Sequence, residues 1–247
     1  MIEGKAALIT GASRGIGRAI AEKLAQNGAK IALNFKENRE AAMEVRENIS
    51  KYGNECLLCQ ADVRNYMDTG KMVNFIIERL GRIDILINNA GIARNLLFNG
   101  MSTEDWNDVI DTNLTGAFNV CRQVSPHMTA QGYGKIINIS SVGGVKAVDG
   151  VSNYSASKAG IMAFTKVLGR ELIKHNINVN CVAPGLIHTD LLMKDVSADI
   201  LDALKAQVPA GRIGEPEEVA DMVLYLCKEQ SRYIVGQTFI IDGGLSL

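Results

Sequence analysis

Ala6-Ala7-Leu8-Ile9-Thr10 runs straight into Gly11-Ala12-Ser13-Arg14-Gly15-Ile16-Gly17, after which Ile16, Ile20 and Leu24 recur at helical spacing until Asn27-Gly28 supplies a stop. Lys30-Ile31-Ala32-Leu33-Asn34-Phe35 then reads as a second strand, which closes a strand–helix–strand unit of about thirty residues. Glycines in such a turn let the backbone approach a pyrophosphate, whose charge rests on the first N–H groups of the helix. The glycines fall as G-x-x-x-G-x-G, at Gly11, Gly15 and Gly17, a looser turn than G-x-G-x-x-G. Gly11 to Gly15 also spells G-x-S-x-G, the nucleophile elbow of hydrolases. Position argues against that reading, because only ten residues precede Gly11 and an elbow follows earlier strands. Of His127, His175 and His188, only His188 sits in a loop after a late strand, where a lone histidine is more often solvated.

The end of the second strand is where a dinucleotide presents its adenosine ribose. A carboxylate there binds the 2′-hydroxyl of NAD, while basic residues accommodate the 2′-phosphate of NADP. This chain has Asn34, Phe35 and Lys36 with no carboxylate before Glu37, and Arg14 lies inside the glycine turn. The pattern points to NADP(H).

Further along, Glu55-Cys56-Leu57-Leu58-Cys59-Gln60 and Ile83-Asp84-Ile85-Leu86-Ile87-Asn88 read as strands, the second closed by Asn89, Ala90 and Gly91. Lys135 to Ser140, Asn178 to Val182 and Thr238 to Asp242 follow in the same way, with helices between them. This alternation predicts an α/β fold: a Rossmann-type, doubly wound parallel sheet of about seven strands with helices on both faces. Gly11, Asn88, Ser141 and Pro184 all follow strands, so the candidate functional loops gather at the carboxyl edge, where such sheets bind ligands. Ser102-Thr103-Glu104-Asp105 opens a long helix with Asn113 in its middle, a place where asparagine is usually solvated. The segment of about 186–212 carries an apolar stripe, Ile200, Leu201, Leu204 and Val208, suited to a substrate lid.

No linker or low-complexity run divides the 247 residues, which predicts a single domain over 1–247, and 47% hydrophobic residues are enough for a large core. A net charge of −1 without a basic segment argues against nucleic acid. The N-terminus lacks a signal-peptide pattern and no run is long enough to span a bilayer, so a soluble cytoplasmic protein without membrane partners is expected. Five cysteines, an odd number, fit a reducing compartment. Cys56 and Cys59 lie three apart in a strand, on opposite faces and roughly 10 Å apart, so they read as core residues, and no metal set is completed.

Asn153-Tyr154-Ser155-Ala156-Ser157-Lys158 puts a phenol and an ammonium four residues apart on one helix face. A nearby cation favours the phenolate, so Lys158 is expected to draw the Tyr154 phenol down toward neutral pH, where acid–base catalysis works best. Among the six tyrosines only Tyr154 has a lysine at this spacing. Upstream, Ser140-Ser141 ends a buried strand and sets a hydroxyl at the mouth of the sheet.

These segments together, Thr10 to Gly17, Asn88 to Gly91, Asn113, Ser141, Tyr154 with Lys158, and Pro184-Gly185, resemble the short-chain dehydrogenase/reductase family over essentially the whole chain. The resemblance implies that Ser141 polarises a substrate carbonyl, Tyr154 exchanges its proton, and Lys158 lowers the tyrosine pKa and holds the nicotinamide ribose. Asn113 matches the residue that supports a water in the proton relay. Asp62 and Val63 match positions beside the adenine, and Ile187 and Thr189 match positions near the carboxamide. Gly214 to Ala220, and Gly236-Gln237-Thr238 leading to Asp242-Gly243-Gly244, are most similar to 3-oxoacyl-[acyl-carrier-protein] reductases. That likeness implies NADPH-dependent reduction of a 3-oxoacyl thioester, on acyl carrier protein or coenzyme A, by a homotetramer. The alternative is another small ketone or secondary alcohol. Two positions depart from the pattern: Arg94-Asn95 stands where the family has Arg-Asp, and Gly132 and Lys174-His175 stand where carrier-docking arginines are common. Arg94, Lys174 and Lys194 are the basic residues available instead.

Overall fold

The protein is described here by a computed structural model that covers residues 2–193 and 198–247. Among the described residues, seven strands form one sheet: β1 (Ala6–Ile9), β2 (Lys30–Phe35), β3 (Cys56–Gln60), β4 (Ile85–Asn88), β5 (Gly134–Ile139), β6 (Ile177–Pro184) and β7 (Thr238–Ile241). Their order is β3-β2-β1-β4-β5-β6-β7, and every pairing is parallel. The direction of winding reverses between β1 and β4, so the loops leaving those strands part and open a crevice.

The helices are α1 (Gly15–Gln26), α2 (Arg39–Ser50), α3 (Tyr66–Leu80), α4 (Thr103–Ile110), α5 (Gly116–Gln131), α6 (Ser152–Leu172), α7 (Asp190–Met193), α8 (Ala198–Ala206) and α9 (Pro216–Cys227). Successive strand residues feed opposite layers, as the two-residue period of a strand requires. Ala7, Ile9, Ile31, Leu33 and Phe35 pack with α1, α2 and α9. Leu8, Ala32 and Leu86 pack with α3 and α5. Cys56 meets the first layer and Cys59 belongs to the second, so the two thiols face apart as their spacing requires. All five cysteines are free, and burial pushes both of these thiols up to about 12.

Two local features depart from simple periodicity. The helix opened by Ser102 is interrupted by a π turn at Asp111–Thr115, where the Gly116 N–H reaches back to the Asp111 carbonyl. That wider turn rotates Asn113 inward, and it is buried instead of solvated. Asn34, in the apolar run of β2, is buried because its side chain completes the backbone of two neighbouring segments, the glycine turn and the end of β3. It donates to the carbonyls of Cys59 (3.0 Å) and Ala61 (3.1 Å) and accepts from Gly11 N (3.3 Å), while its own carbonyl accepts from Ala12 N (2.9 Å).

Asn34→Leu, of similar size, would leave those backbone groups without partners. A loss on the order of 2–3 kcal/mol is expected, read as a lower urea midpoint with unchanged slope. A shift of less than about 0.5 kcal/mol, the range of an ordinary surface substitution, would contradict the role given to Asn34.

Candidate active site

The crevice is built by close approach of backbone. Gly11 has φ +62°, and a Cβ there would lie 2.9 Å from Ala90 Cα. A Cβ on Gly17 would run into the Asn89 amide and come within 2.5 Å of the Gly11 carbonyl. Hydrogen bonds fix the same contact: Thr10 Oγ1 accepts from the N–H groups of Asn89 and Ala90 (3.0 Å each), and Asn89 Nδ2 donates to the carbonyls of Thr10 and Gly11 (3.0 Å each). The glycine turn from β1 is thereby laced to the loop leaving β4.

Helix α1 starts beyond this turn. Arg14 occupies its N-cap in extended conformation without a side-chain cap, and its first turn has no acidic residue. Those N–H groups therefore face the crevice ready for an anion. The uncapped helix end and the side-chain-free cradle fit the pyrophosphate of a dinucleotide. Ser13 and Ile16 are half-buried at the turn, and Arg14 is exposed. Thr189 closes the far side, its Cγ2 being 3.3 Å from where a Gly15 Cβ would lie. Ile187 is buried and bridged to Gly214, and the chain reaches it from Pro184-Gly185, where a Cβ on Gly185 would meet Asp242 Cβ at 2.6 Å.

At the other end of the crevice, the Asn34 and Phe35 side chains are buried, so of the three residues expected at the ribose only Lys36 presents its side chain outward. Lys36 Nζ lies 3.3 Å from Asp62 Oδ2. Burial pushes the Asp62 carboxyl up, but the hydrogen bonds and charge of Arg64, with Lys36, outweigh it and hold the group at about 2. Val63 is buried and packs where a Cβ on Gly116 would come within 2.7 Å.

Between these ends lies a corner of four polar side chains. Tyr154 and Lys158 share one face of α6, with Lys158 Nζ 5.5 Å from the tyrosine ring centre. Ser141 follows β5 and caps a short 3-10 turn, its Oγ accepting from Gly143 N at 3.1 Å. A Cβ on Gly143 would lie 3.5 Å from Ser141 Oγ and 3.6 Å from the Tyr154 ring, and Ser141 also hydrogen-bonds the phenol. Asn113 joins from the π turn. Its Oδ1 accepts from Ile92 N (2.8 Å), and its Nδ2 donates to the Ile92 carbonyl and Ser157 Oγ (3.0 Å each). Gly91 closes the corner, since a Cβ on it would lie 3.2 Å from Asn113 Oδ1 and 3.5 Å from Lys158 Nζ. Asn113, Ser141, Tyr154 and Lys158 thus meet beside Gly91.

Electrostatics here differ from the expectation of a lowered tyrosine. Burial pushes the Tyr154 phenol above its ordinary value, the Ser141 hydrogen bond offsetting only part of that rise. Burial also pushes Lys158 down from 10.5 to about 8. Desolvation penalises each charged form, and Lys158 Nζ donates to the Ile139 carbonyl at 2.9 Å. Tyr154 is consequently held protonated, the state a proton donor requires.

Sequence reading missed the residues that seat α6. Ser140 Oγ donates to the Lys158 carbonyl at 2.7 Å, and a Cβ on Gly144 would lie 2.9 Å from the backbone of Lys158 and Ala159. The signal was present in Ser140-Ser141 and Gly143-Gly144, small residues directly after a buried strand. Of the lid stripe, Val208 packs with Val142 and Leu245, whereas Ile200 is exposed. Residues 194–197 of the expected lid, with Lys194, lie outside the described residues. Arg94 is at the mouth but engaged, 3.6 Å from Asp108. Lys174 follows the end of α6, about 30 Å along the helix from Tyr154 at 1.5 Å per residue, and is not on the rim.

Residues 11–246 match the profile of a family described as enoyl-(acyl carrier protein) reductase. The chain is 41% identical over 241 residues to the 3-oxoacyl-[acyl-carrier-protein] reductase FabG of Staphylococcus epidermidis, covering 98% of each. Its structure is similar to a short-chain type dehydrogenase/reductase from Mycobacterium marinum, with TM-score 0.95 and 36% identity over 99% of this chain and 96% of the other. It is similar too to an actinorhodin polyketide ketoreductase solved with NADPH, with TM-score 0.94 and 36% identity over 98% and 97% of the two chains. A glycine turn at the switch point, beside a buried phenol and ammonium, accords with an oxidoreductase that works with a nicotinamide dinucleotide. This chain belongs to the short-chain dehydrogenase/reductase family. Among the described residues, no helix is long and apolar enough to cross a membrane.

Two measurements follow from this geometry. Gly17→Ala presses a methyl group into Asn89 and the Gly11 carbonyl, and should cost about 1–3 kcal/mol and weaken dinucleotide binding; unchanged stability and binding would refute the tight contact. For Lys158 the folded pKa lies below the unfolded one, so between about pH 8 and 10.5 the unfolded chain binds more protons and stability rises with pH. Lys158→Met should flatten that rise, by up to about 3 kcal/mol across the window, in urea unfolding at pH 8 and pH 10. An identical pH dependence in both proteins would show that Lys158 is not desolvated.

Proposed function

We propose that the protein reduces 3-oxoacyl thioesters, on acyl carrier protein or coenzyme A, to 3-hydroxyacyl thioesters with NADPH. The observation that carries this reading is the meeting of Ser141, Tyr154, Lys158 and Asn113 beside the dinucleotide cradle. NADPH, when bound, supplies the hydride to the carbonyl carbon. Ser141 Oγ accepts from Gly143 N, and its own proton, directed at the Tyr154 phenol before substrate arrives, can turn to the carbonyl oxygen. Tyr154, kept neutral by burial, gives its proton to the alkoxide that develops there. Lys158 spends one of its N–H groups on Ile139 and retains others to hold the ribose and to stabilise the phenolate left behind. Asn113 keeps the π turn pinned to Ile92 and Ser157, and Ser157 Oγ donates to the Tyr154 carbonyl at 2.7 Å, so it positions α6 and supports the water of the proton relay.

The preference for NADPH is supported by Arg14 and Lys36, by the absence of a carboxylate at the end of β2, and by the actinorhodin ketoreductase having been solved with NADPH. Gly11, Ser13, Arg14, Gly15, Ile16 and Gly17 would hold the phosphates, Lys36, Asp62 and Val63 the adenosine, and Asn89, Ala90, Gly91, Pro184, Gly185, Ile187 and Thr189 the nicotinamide half. The thioester substrate is supported by the FabG relative and by apolar residues of α8. Half-exposed Phe118 on α5 and Val167 on α6, with Ile240 on edge strand β7, support a homotetramer, and a cytoplasmic location accords with the free cysteines. With Arg94 engaged and Lys174 distant, the carrier-bound form should have only a modest advantage over coenzyme A.

Tyr154→Phe keeps the ring but removes the proton donor, so kcat should fall roughly 10²–10⁴-fold while NADPH titration stays nearly unchanged. Near wild-type turnover would refute the assignment. Rates on 3-oxoacyl and 2-enoyl thioesters of the same chain length test the substrate. Activity on the enoyl form alone would replace the ketone reading, and activity on neither would leave a small ketone or secondary alcohol.

A further inference from the structure

A row of five side chains of alternating charge runs along the adenosine end of the crevice. Lys36 Nζ lies 3.3 Å from Asp62 Oδ2, and Asp62 in turn is 2.7 Å from Arg64 Nη2. Arg64 Nη1 is 3.2 Å from Asp108 Oδ1, and Asp108 Oδ2 is 3.6 Å from Arg94 Nη2. The row crosses four elements, from the end of β2, past the end of β3 and over α4, to the loop after β4. Only its first member stands where a 2′-phosphate is expected.

Arg64 grips Asp62 thoroughly. Its Nε donates to both carboxylate oxygens (3.2 and 3.0 Å), its Nη2 to Oδ2 (2.7 Å), and its backbone N–H to Oδ1 (3.0 Å). Asp108 accepts from the other side of the guanidinium and keeps its fork turned toward Asp62. Lys36 also has Glu37 at 3.3 Å, so before any dinucleotide arrives the cation meant for the phosphate is shared between two carboxylates.

We propose that Arg64, acting through Asp62, sets how strongly this protein distinguishes a dinucleotide carrying a 2′-phosphate from one without it. With Arg64 in place, Asp62 keeps a cation when Lys36 swings to a phosphate, so Lys36 is cheap to recruit. Without Arg64, Lys36 becomes the only cation on Asp62, and an uncompensated carboxylate also faces the incoming phosphate. Both effects weaken NADPH and leave NADH little affected. Arg64 is therefore a positioning residue, not one that touches the cofactor. This inference rests on the NADPH reading above, because it assigns Lys36 to the 2′-phosphate.

The test is the ratio of dissociation constants for NADPH and NADH, measured by fluorescence titration in the unmodified protein, Arg64→Met, Asp62→Asn, Lys36→Met and the Lys36→Met/Arg64→Met double variant. Arg64→Met should reduce the preference for NADPH about three- to fivefold, the worth of a partly exposed ion pair, with the loss on the NADPH side. Asp62→Asn should shift the ratio the other way, because it frees Lys36. In the Lys36→Met background, Arg64→Met should change the ratio by clearly less, because only the uncompensated Asp62 carboxylate is left to act on the phosphate. A general loosening of the fold would weaken both dinucleotides together and leave the ratio unmoved. The proposal is overturned if Arg64→Met does not change the ratio, or changes it as much without Lys36 as with it. Tighter binding of NADH by the unmodified protein would overturn the NADPH reading itself, and that result appears before any substitution is made.

Discussion

The seating of α6 on the end of β5 is the contact on which the candidate site depends. Lys158 is held there twice, its ammonium by the Ile139 carbonyl and its own carbonyl by Ser140 Oγ. Strand and helix are thereby locked at one residue, and Tyr154, one turn earlier, is aimed at Ser141 just beyond the strand. Gly144 lets the intervening turn lie against the helix backbone. Thr165, two turns further along α6, accepts from Asn138 Nδ2 at 2.9 Å, so the helix is tied to β5 again below the site. Asn138 Oδ1 accepts from Asn88 on β4, and the polar chain passes beneath the crevice toward the strand whose loop carries Asn89, Ala90 and Gly91.

That seating has an electrostatic consequence. A lysine buried between a strand end and a helix loses solvation, and its pKa falls to about 8. The same dry environment raises the pKa of the Tyr154 phenol. An ammonium near neutral pH beside a phenol that keeps its proton is the charge state for donating to an oxyanion and then tolerating the phenolate. The glycine turn is built differently: with side chains removed and a helix end left uncapped, it offers backbone N–H groups suited to a phosphate without a buried countercharge.

Much of this was legible in the chain. Apolar runs separated by helical periodicity give the strands and their parallel arrangement, and the glycine spacing gives the cradle. Tyr154 and Lys158 are found by a spacing that no other tyrosine of the chain shares, together with Ser140-Ser141 at the end of the strand before them. What escaped depends on burial or on contacts across elements. The π turn that brings Asn113 inward leaves no mark in hydrophobic periodicity. Asn34 reads as a ribose contact from its place near the end of the second strand, whereas its amide is consumed by backbone groups of the glycine turn and the end of β3. The direction of the Tyr154 shift is not carried by spacing, which reports a neighbouring charge and says nothing of desolvation. Arg64 is an exposed arginine after a strand, and its role emerges only when Asp62, Asp108 and Lys36 converge on it.

Burial is what holds Tyr154 as a neutral proton donor. An ultraviolet difference titration of the unmodified protein against Tyr154→Phe, following phenolate absorbance without cofactor, measures that directly. No phenolate from Tyr154 is expected until the pH exceeds the ordinary tyrosine value of 10. Phenolate from this residue appearing near neutral pH would contradict it, and would mean that the charge of Lys158 outweighs desolvation.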